Sequence, residues 1–182
     1  MTHTQWAPRI RRGNADHIPR FRIDDNGSAL TFSIKPVPPF RLDLTVWTLR
    51  RRASNLVDRW DGKTYRRVLM LENYPVEVAV RQSGSINAAQ IHIMLTGSRI
   101  LPNAKALIIQ SLERLLGLRI NLSEFYRLSA TDKNLSPLVK RFRGAKPPRF
   151  PTLFEALVNA IACQQMSLSL GIILLSRLAE RF

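Results

Sequence analysis

The hydrophobic positions of this chain change period along its length. Residues 29–35 read as a short strand, closed by the cluster Pro36, Pro38 and Pro39. Over 40–49 two periods compete: Leu42, Leu44 and Val46 alternate as in a strand, whereas Phe40, Leu44 and Trp47 share one helical face. Arg50, Arg51 and Arg52 then make a basic knot, and Arg59-Trp60-Asp61-Gly62 supplies a turn, Asp-Gly being the strongest short hairpin signal present. Three strand-like runs follow, 65–71, 76–82 and 90–95, punctuated by Asn73 with Pro75 and by Gly84 with Asn87. They predict an antiparallel meander.

From Pro102 the period becomes helical. Ala106, Leu107, Ile109, Leu112, Leu115 and Leu116 fit one helix, stopped by a glycine cap at Gly117. Shorter helices are expected over 124–128, with Ser123 as cap, and over 135–142. Residues 144–148 read as a basic, proline-containing linker, and the domain boundary is placed there. Thr152 opens a capping box: its hydroxyl can accept from the N–H three residues on, and Glu155 can reach back to Thr152. Leu153, Leu157, Ala160 and Ile161 form a stripe on that helix. Residues 163–167 interrupt it with amides, and Ser167 can cap a second helix over 168–182 that is apolar nearly all round and needs neighbours to enclose it. The pattern runs into Arg181-Phe182 with no glycine cap and no polar tail, which leads us to expect an unfinished domain. A sheet with helices followed by helices alone makes the class α+β. The expected division is a basic flexible arm over 1–28, an α/β domain over 29–144 and the first helices of an incomplete helical domain over 145–182.

Charge changes the picture. Basic residues number 28 against 13 acidic ones, for a net charge of +15. Apart from Lys35, Lys63, Lys105, Lys133, Lys140 and Lys146 they are all arginine, whose planar fork suits phosphates and base edges. A polyanionic partner follows, since phosphate contacts supply most non-specific nucleic-acid affinity. The longest apolar run, 168–175, is broken by Ser169 and Gly171 and is too short to span a bilayer, so no membrane partner is expected. Arg9, Arg11 and Arg12 are not followed by the apolar stretch of a secretory signal, and the expected location is cytoplasmic, associated with the nucleoid. The single Cys163 and the three histidines, His3, His17 and His92, make a disulfide framework or a metal site improbable, and no cofactor is implied.

The stretch 147–151, leading into Phe154-Glu155-Ala156-Leu157-Val158-Asn159-Ala160-Ile161 and Gln164-Gln165-Met166-Ser167, resembles the start of the helical domain in helix-hairpin-helix DNA glycosylases. Upstream, Pro39-Phe40, Tyr65-Arg66-Arg67, Leu115-Leu116-Gly117-Leu118 and Phe142-Arg143-Gly144 occur in the order found in the 3-methyladenine glycosylase II branch, so the resemblance covers residues 36–182. It implies a small antiparallel α/β domain followed by a helical one, and a helix over 41–52. It also implies double-stranded DNA as partner and base-excision repair as the process, with removal of damaged, alkylated purines.

Removing a base from a duplex requires flipping the nucleotide out and filling the gap it leaves. The matching wedge position is Gln165, with Gln164 and Ser167 beside it, and an amide can fill the space and hydrogen-bond the estranged base. Taken without the resemblance, Gln164 and Gln165 are ordinary polar residues between two helices. The resemblance also places the base pocket near 40–47, where Phe40 or Trp47 can stack on a cationic alkylated base, although each also fits a plain core. The family's hairpin and its catalytic aspartate have no counterpart in 1–182 and would lie beyond Phe182, on this chain's own continuation or on a separate chain supplying the missing half. Asp43, Asp58, Asp61, Asp132 and Glu155 match no catalytic position, and Glu155 is assigned to capping. No catalytic residue is carried over, and the chain alone is expected to be inactive. The alternative is a non-catalytic basic nucleic-acid-binding module.

Overall fold

The computed structural model describes residues 28–181. The basic arm expected over 1–28 thus lies outside the described residues, except for Ser28, which opens the first strand, β1 (Ser28–Ile34).

Helix α1 (Leu42–Arg50) settles the ambiguous segment. Both periods were real because the helix is enclosed on most sides: Leu42, Leu44, Thr45, Val46 and Leu49 are all buried. Its first turn has no side-chain cap of its own; instead Gln82 Oε1 accepts from Leu42 N at 2.7 Å, and Gln82 Nε2 donates to Phe40 O at 3.2 Å. One amide from the sheet therefore satisfies groups the helix start leaves open.

Strands β2 (Arg59–Trp60), β3 (Tyr65–Leu71), β4 (Tyr74–Ser83) and β5 (Gln90–Gly97) form the expected meander, and β1 pairs antiparallel with β5, giving the order β1-β5-β4-β3-β2. At the Asp-Gly turn, Asp61 Oδ1 accepts from the backbone of Lys63 and Thr64 at 2.8 and 2.7 Å. Desolvation works against that carboxylate, but the backbone hydrogen bonds prevail and hold its pKa below the ordinary value. Strand β4 starts two residues before the expected run over 76–82 and takes in Pro75, one of the residues expected to punctuate the strands. Pro75 pairs with Met70 of β3, while the β4–β5 ladder starts at Glu77, so the proline sits where β4 has a neighbour on one side and its missing N–H costs no ladder bond.

Register puts Tyr65, Leu69, Val76, Val78, Val80, Ile91, Ile93 and Leu95 on one sheet face, and that face packs against α1 and α2 (Ala104–Leu115). Helix α2 contributes Ala104, Ile108, Leu112 and Leu115 at helical spacing. Its end is a Schellman motif: Gly117 adopts φ +61° and Leu118 N donates to Glu113 O at 3.1 Å. On the opposite sheet face His92 lies between Ser33 Oγ (3.0 Å) and Ser83 Oγ (2.7 Å), and burial lowers its pKa.

Helices α3 (Ser123–Ser129) and α4 (Leu135–Arg141) are short. Ser123 is the first helical residue of α3 rather than its cap; Asn121 Oδ1 accepts from Ser123 N at 2.9 Å instead. The basic linker is strapped down. Gly144 O accepts from Arg41 N (2.7 Å), Gly144 N donates to Tyr126 Oη (3.1 Å), and Lys146 is buried with Nζ on Ile120 O (2.6 Å) and its backbone N on Thr45 Oγ1 (3.1 Å). Burial lowers the Lys146 pKa. The last two helices are α5 (Leu153–Cys163) and α6 (Leu168–Arg181). None of the described helices is long and apolar enough to cross a membrane.

Candidate nucleic-acid interface

Helix α5 begins as its capping signal requires, with Thr152 Oγ1 accepting from Glu155 N at 3.1 Å. The reciprocal half of the box is absent. The Glu155 carboxylate turns away from Thr152 and pairs through Oε1 with Arg67 Nη2. The reason is electrostatic. Arg67 stands in the middle of β3 at a position that faces the core and is 4% exposed, and a charge so placed is tolerated only with close counter-charges.

Asp58 supplies the other. Its Oδ1 accepts from Arg67 Nη1 at 2.8 Å and from Tyr65 Oη at 2.6 Å. Tyr65 is fully buried. Desolvation and the Asp58 charge raise its pKa well above the usual value, so the phenol stays a donor. Desolvation alone would lower the Arg67 pKa, but Asp58, Tyr65 and Glu155 outweigh it and the guanidinium is held charged. Asp58 is placed by the loop after α1, where Asn55 Oδ1 accepts from the backbone of Val57 and Asp58 at 2.9 and 3.1 Å.

A second arginine grips α5 one turn further on. Arg51, in the left-handed cap of α1 (φ +56°), donates through Nη2 to Asn159 Oδ1 and through Nη1 to Cys163 Sγ at 3.7 Å. Glu155 and Asn159 are four residues apart and lie on one helical face. The polar side of α5 therefore faces the α/β part of the chain. Its apolar stripe faces away: Leu153 is 73% exposed, Phe154 75% and Ile161 69%. On α6, Leu170, Ile173, Leu174 and Leu178 are likewise exposed, while Gly171, Ile172 and Ser176 are buried. Between the helices runs an apolar groove lined by Val158, Ile161, Ala162, Leu174, Leu175 and Leu178.

The turn joining α5 and α6 carries the three polar candidates. Gln164 is extended (φ −75°, ψ 132°), Gln165 is left-handed (φ +55°), and both side chains are exposed. Ser167 caps α6 as expected, its Oγ accepting from Leu170 N at 3.3 Å. A Cβ on Gly171 would stand 2.7 Å from Cys163 Sγ and 2.9 Å from Ala162 O, so glycine lets α6 pass close behind the turn. The fold brings Gln164, Gln165 and Ser167 together at the exposed end of α5, and Arg51 reaches the adjoining Cys163.

The two aromatic candidates part company. Phe40 is fully buried in the core, and its ring has no face open to a base. Trp47 is 43% exposed on α1, one turn before Arg51, and stacks on Phe142 with centroids 6.2 Å apart and planes 12° from parallel. Reading the sequence missed Arg51, Asp58, Arg67 and Asn159. The signal for Arg67 was present: a charge at an inward position of an alternating strand announces a buried partner. Among the described residues no group of three His, Cys, Asp or Glu side chains comes together. Each described carboxylate has a hydrogen-bonding partner except Glu180, which is exposed on α6.

No protein-family model and no curated protein matches the sequence. Among solved structures, the fold is similar to that of a 3-methyladenine DNA glycosylase from Archaeoglobus fulgidus, with a TM-score of 0.68 at 22% identity. The likeness covers 83% of this chain and 50% of that one, so this chain has the fold of about half of that glycosylase.

Proposed function

We propose that this chain is the DNA-binding N-terminal portion of a base-excision DNA glycosylase acting on alkylated purines, with Gln165 as the side chain that enters the duplex where a base is extruded. The observation that carries the reading is the position of Gln165. It stands exposed and left-handed on a turn between two helices, in a chain sharing the fold of a 3-methyladenine DNA glycosylase. The net charge of +15 suits a duplex partner and, with it, a nucleoid-associated location. The two-arginine grip on α5 fixes the turn relative to the sheet, which a wedge needs if it is to fill the gap in the stack.

On this reading residues 145–182 begin a helical domain. In the whole enzyme the exposed stripe of α5 and the exposed side of α6 pack against further helices. The described carboxylates serve structure: Asp58 and Glu155 neutralise Arg67, and Asp61 and Asp132 hold turns. None is assigned to glycosidic hydrolysis. Purified 1–182 is accordingly expected to release 3-methyladenine from methylated DNA no faster than spontaneous loss, and an accelerated release measured by chromatography would refute that assignment.

The wedge itself is tested by binding. A duplex with an abasic-site analogue should bind more tightly than the same undamaged duplex, and Gln165→Ala should remove most of that preference while leaving undamaged affinity nearly unchanged. The high positive charge also favours a second reading, a basic nucleic-acid-binding module without chemistry. That reading predicts equal affinity for both duplexes, a steep salt dependence and no effect of Gln165→Ala.

A further inference from the structure

Apart from the turn, the fold assembles a cluster of aromatic rings and cations where the end of α4 meets α1, with Trp47 and Phe125 exposed and Phe142 and Tyr126 half-buried. Trp47 and Phe142 stack nearly parallel. Arg141 lies over the Phe142 ring at 5.5 Å, and Arg143 lies over the Tyr126 ring at 4.8 Å. Phe125, 48% exposed, stands against Tyr126 with centroids 5.9 Å apart. Both arginines are exposed, and none of the described carboxylates bonds to either.

The chemistry of the cluster has one natural complement. Aromatic faces stack on unpaired nucleobases whatever their identity, and guanidiniums held beside the rings meet the phosphates of the same strand. A paired duplex keeps its base faces covered, so the complement is single-stranded. We infer that Trp47, backed by the stacked Phe142 and with Arg141 and Arg143 beside it, forms a stacking platform for single-stranded nucleic acid, separate from the contact made by Gln165. The inference rests on the reading that the partner is a nucleic acid, but not on the wedge. Helix α1 links the two places, because Arg51, one turn after Trp47, reaches Asn159 and Cys163 at the foot of the Gln164–Gln165 turn.

The test uses the full chain with a fluorescently labelled thymidine oligonucleotide and its uridine counterpart, read by anisotropy. Trp47→Ala is expected to weaken binding roughly fivefold to a hundredfold, the range found for loss of one stacked base, and Trp47→Phe should restore most of it. Arg143→Gln should lower the magnitude of the slope of log affinity against log salt by about 0.7, the share of one phosphate on a single strand. Arg119→Gln, which removes an equal charge elsewhere on the surface, serves as the comparison. Preference for the thymidine or the uridine oligomer tells DNA from RNA as the occupant. An affinity for both oligomers that Trp47→Ala changes by less than twofold, in a protein that still melts cooperatively, would overturn the platform. So would Arg119→Gln matching Arg143→Gln. Failure of the wedge is read separately, on an abasic duplex with Gln165→Ala, so either idea can fall while the other stands.

Discussion

Replacing Arg67 by methionine should destabilise the protein by about 3–5 kcal/mol, measured by chemical denaturation, because it strands the Asp58 carboxylate in the interior. Asp58 would keep the Tyr65 hydroxyl but lose its counter-ion, and it is 6% exposed. A loss of that size is a large fraction of the 5–15 kcal/mol typical of a domain. The partners should differ in a telling way. Glu155→Gln, on the more exposed side of the same guanidinium, is expected to cost about 1 kcal/mol. Arg67→Lys keeps the charge but cannot offer separate fork nitrogens to Asp58 and Glu155, so its loss should fall between the two. Arg67→Met combined with Asp58→Asn should be less destabilised than the sum of the single changes, by about 0.5–3 kcal/mol, since the stranded charge is gone. Additive losses in that double-mutant cycle would refute the buried pair. The same substitution has a functional readout, because Arg67 fixes the first turn of α5. The abasic-site preference should weaken along with stability.

The second large effect separates the two aromatic candidates. Phe40→Ala removes a fully buried ring beneath α1 and is expected to cost about 3–5 kcal/mol in unfolding free energy. Trp47→Ala leaves the core intact and should cost about 1 kcal/mol, chiefly its contact with Phe142. If stability followed the opposite order, Phe40 would be an open pocket residue and the assignment of Trp47 to the surface platform would fail with it.

These contrasts show what could be read from the residues and what could not. Strand alternation placed β3 and β5 closely because each has one face on the core, and the side-chain period of two permits no intermediate register. The start of α5 was legible for a similar reason: a threonine hydroxyl that accepts from the backbone N–H three residues on is a local geometry that tertiary packing rarely overturns. The direction in which α5 faces was not legible. Periodicity divides a helix into two faces, but it does not say which of them meets the rest of the chain. Here the polar one does, through Glu155 and Asn159, because two arginines on other elements wait for it. Lys146 falls in a stretch that reads only as a basic, proline-containing linker, and its burial depends on a carbonyl, Ile120 O, twenty-six positions away. For the same reason the Trp47–Phe142 pair left no trace in the local pattern.

The left-handed backbone at Gln165 sets stability against use. An L-residue with a Cβ is held there at a standing cost of about 1 kcal/mol, which glycine would remove. The turn would thus be sounder with no side chain at all. Gln165→Gly should therefore steady the turn by up to about 1 kcal/mol in chemical denaturation while taking away the side chain proposed to enter the duplex, so that stability and abasic-site preference move in opposite directions.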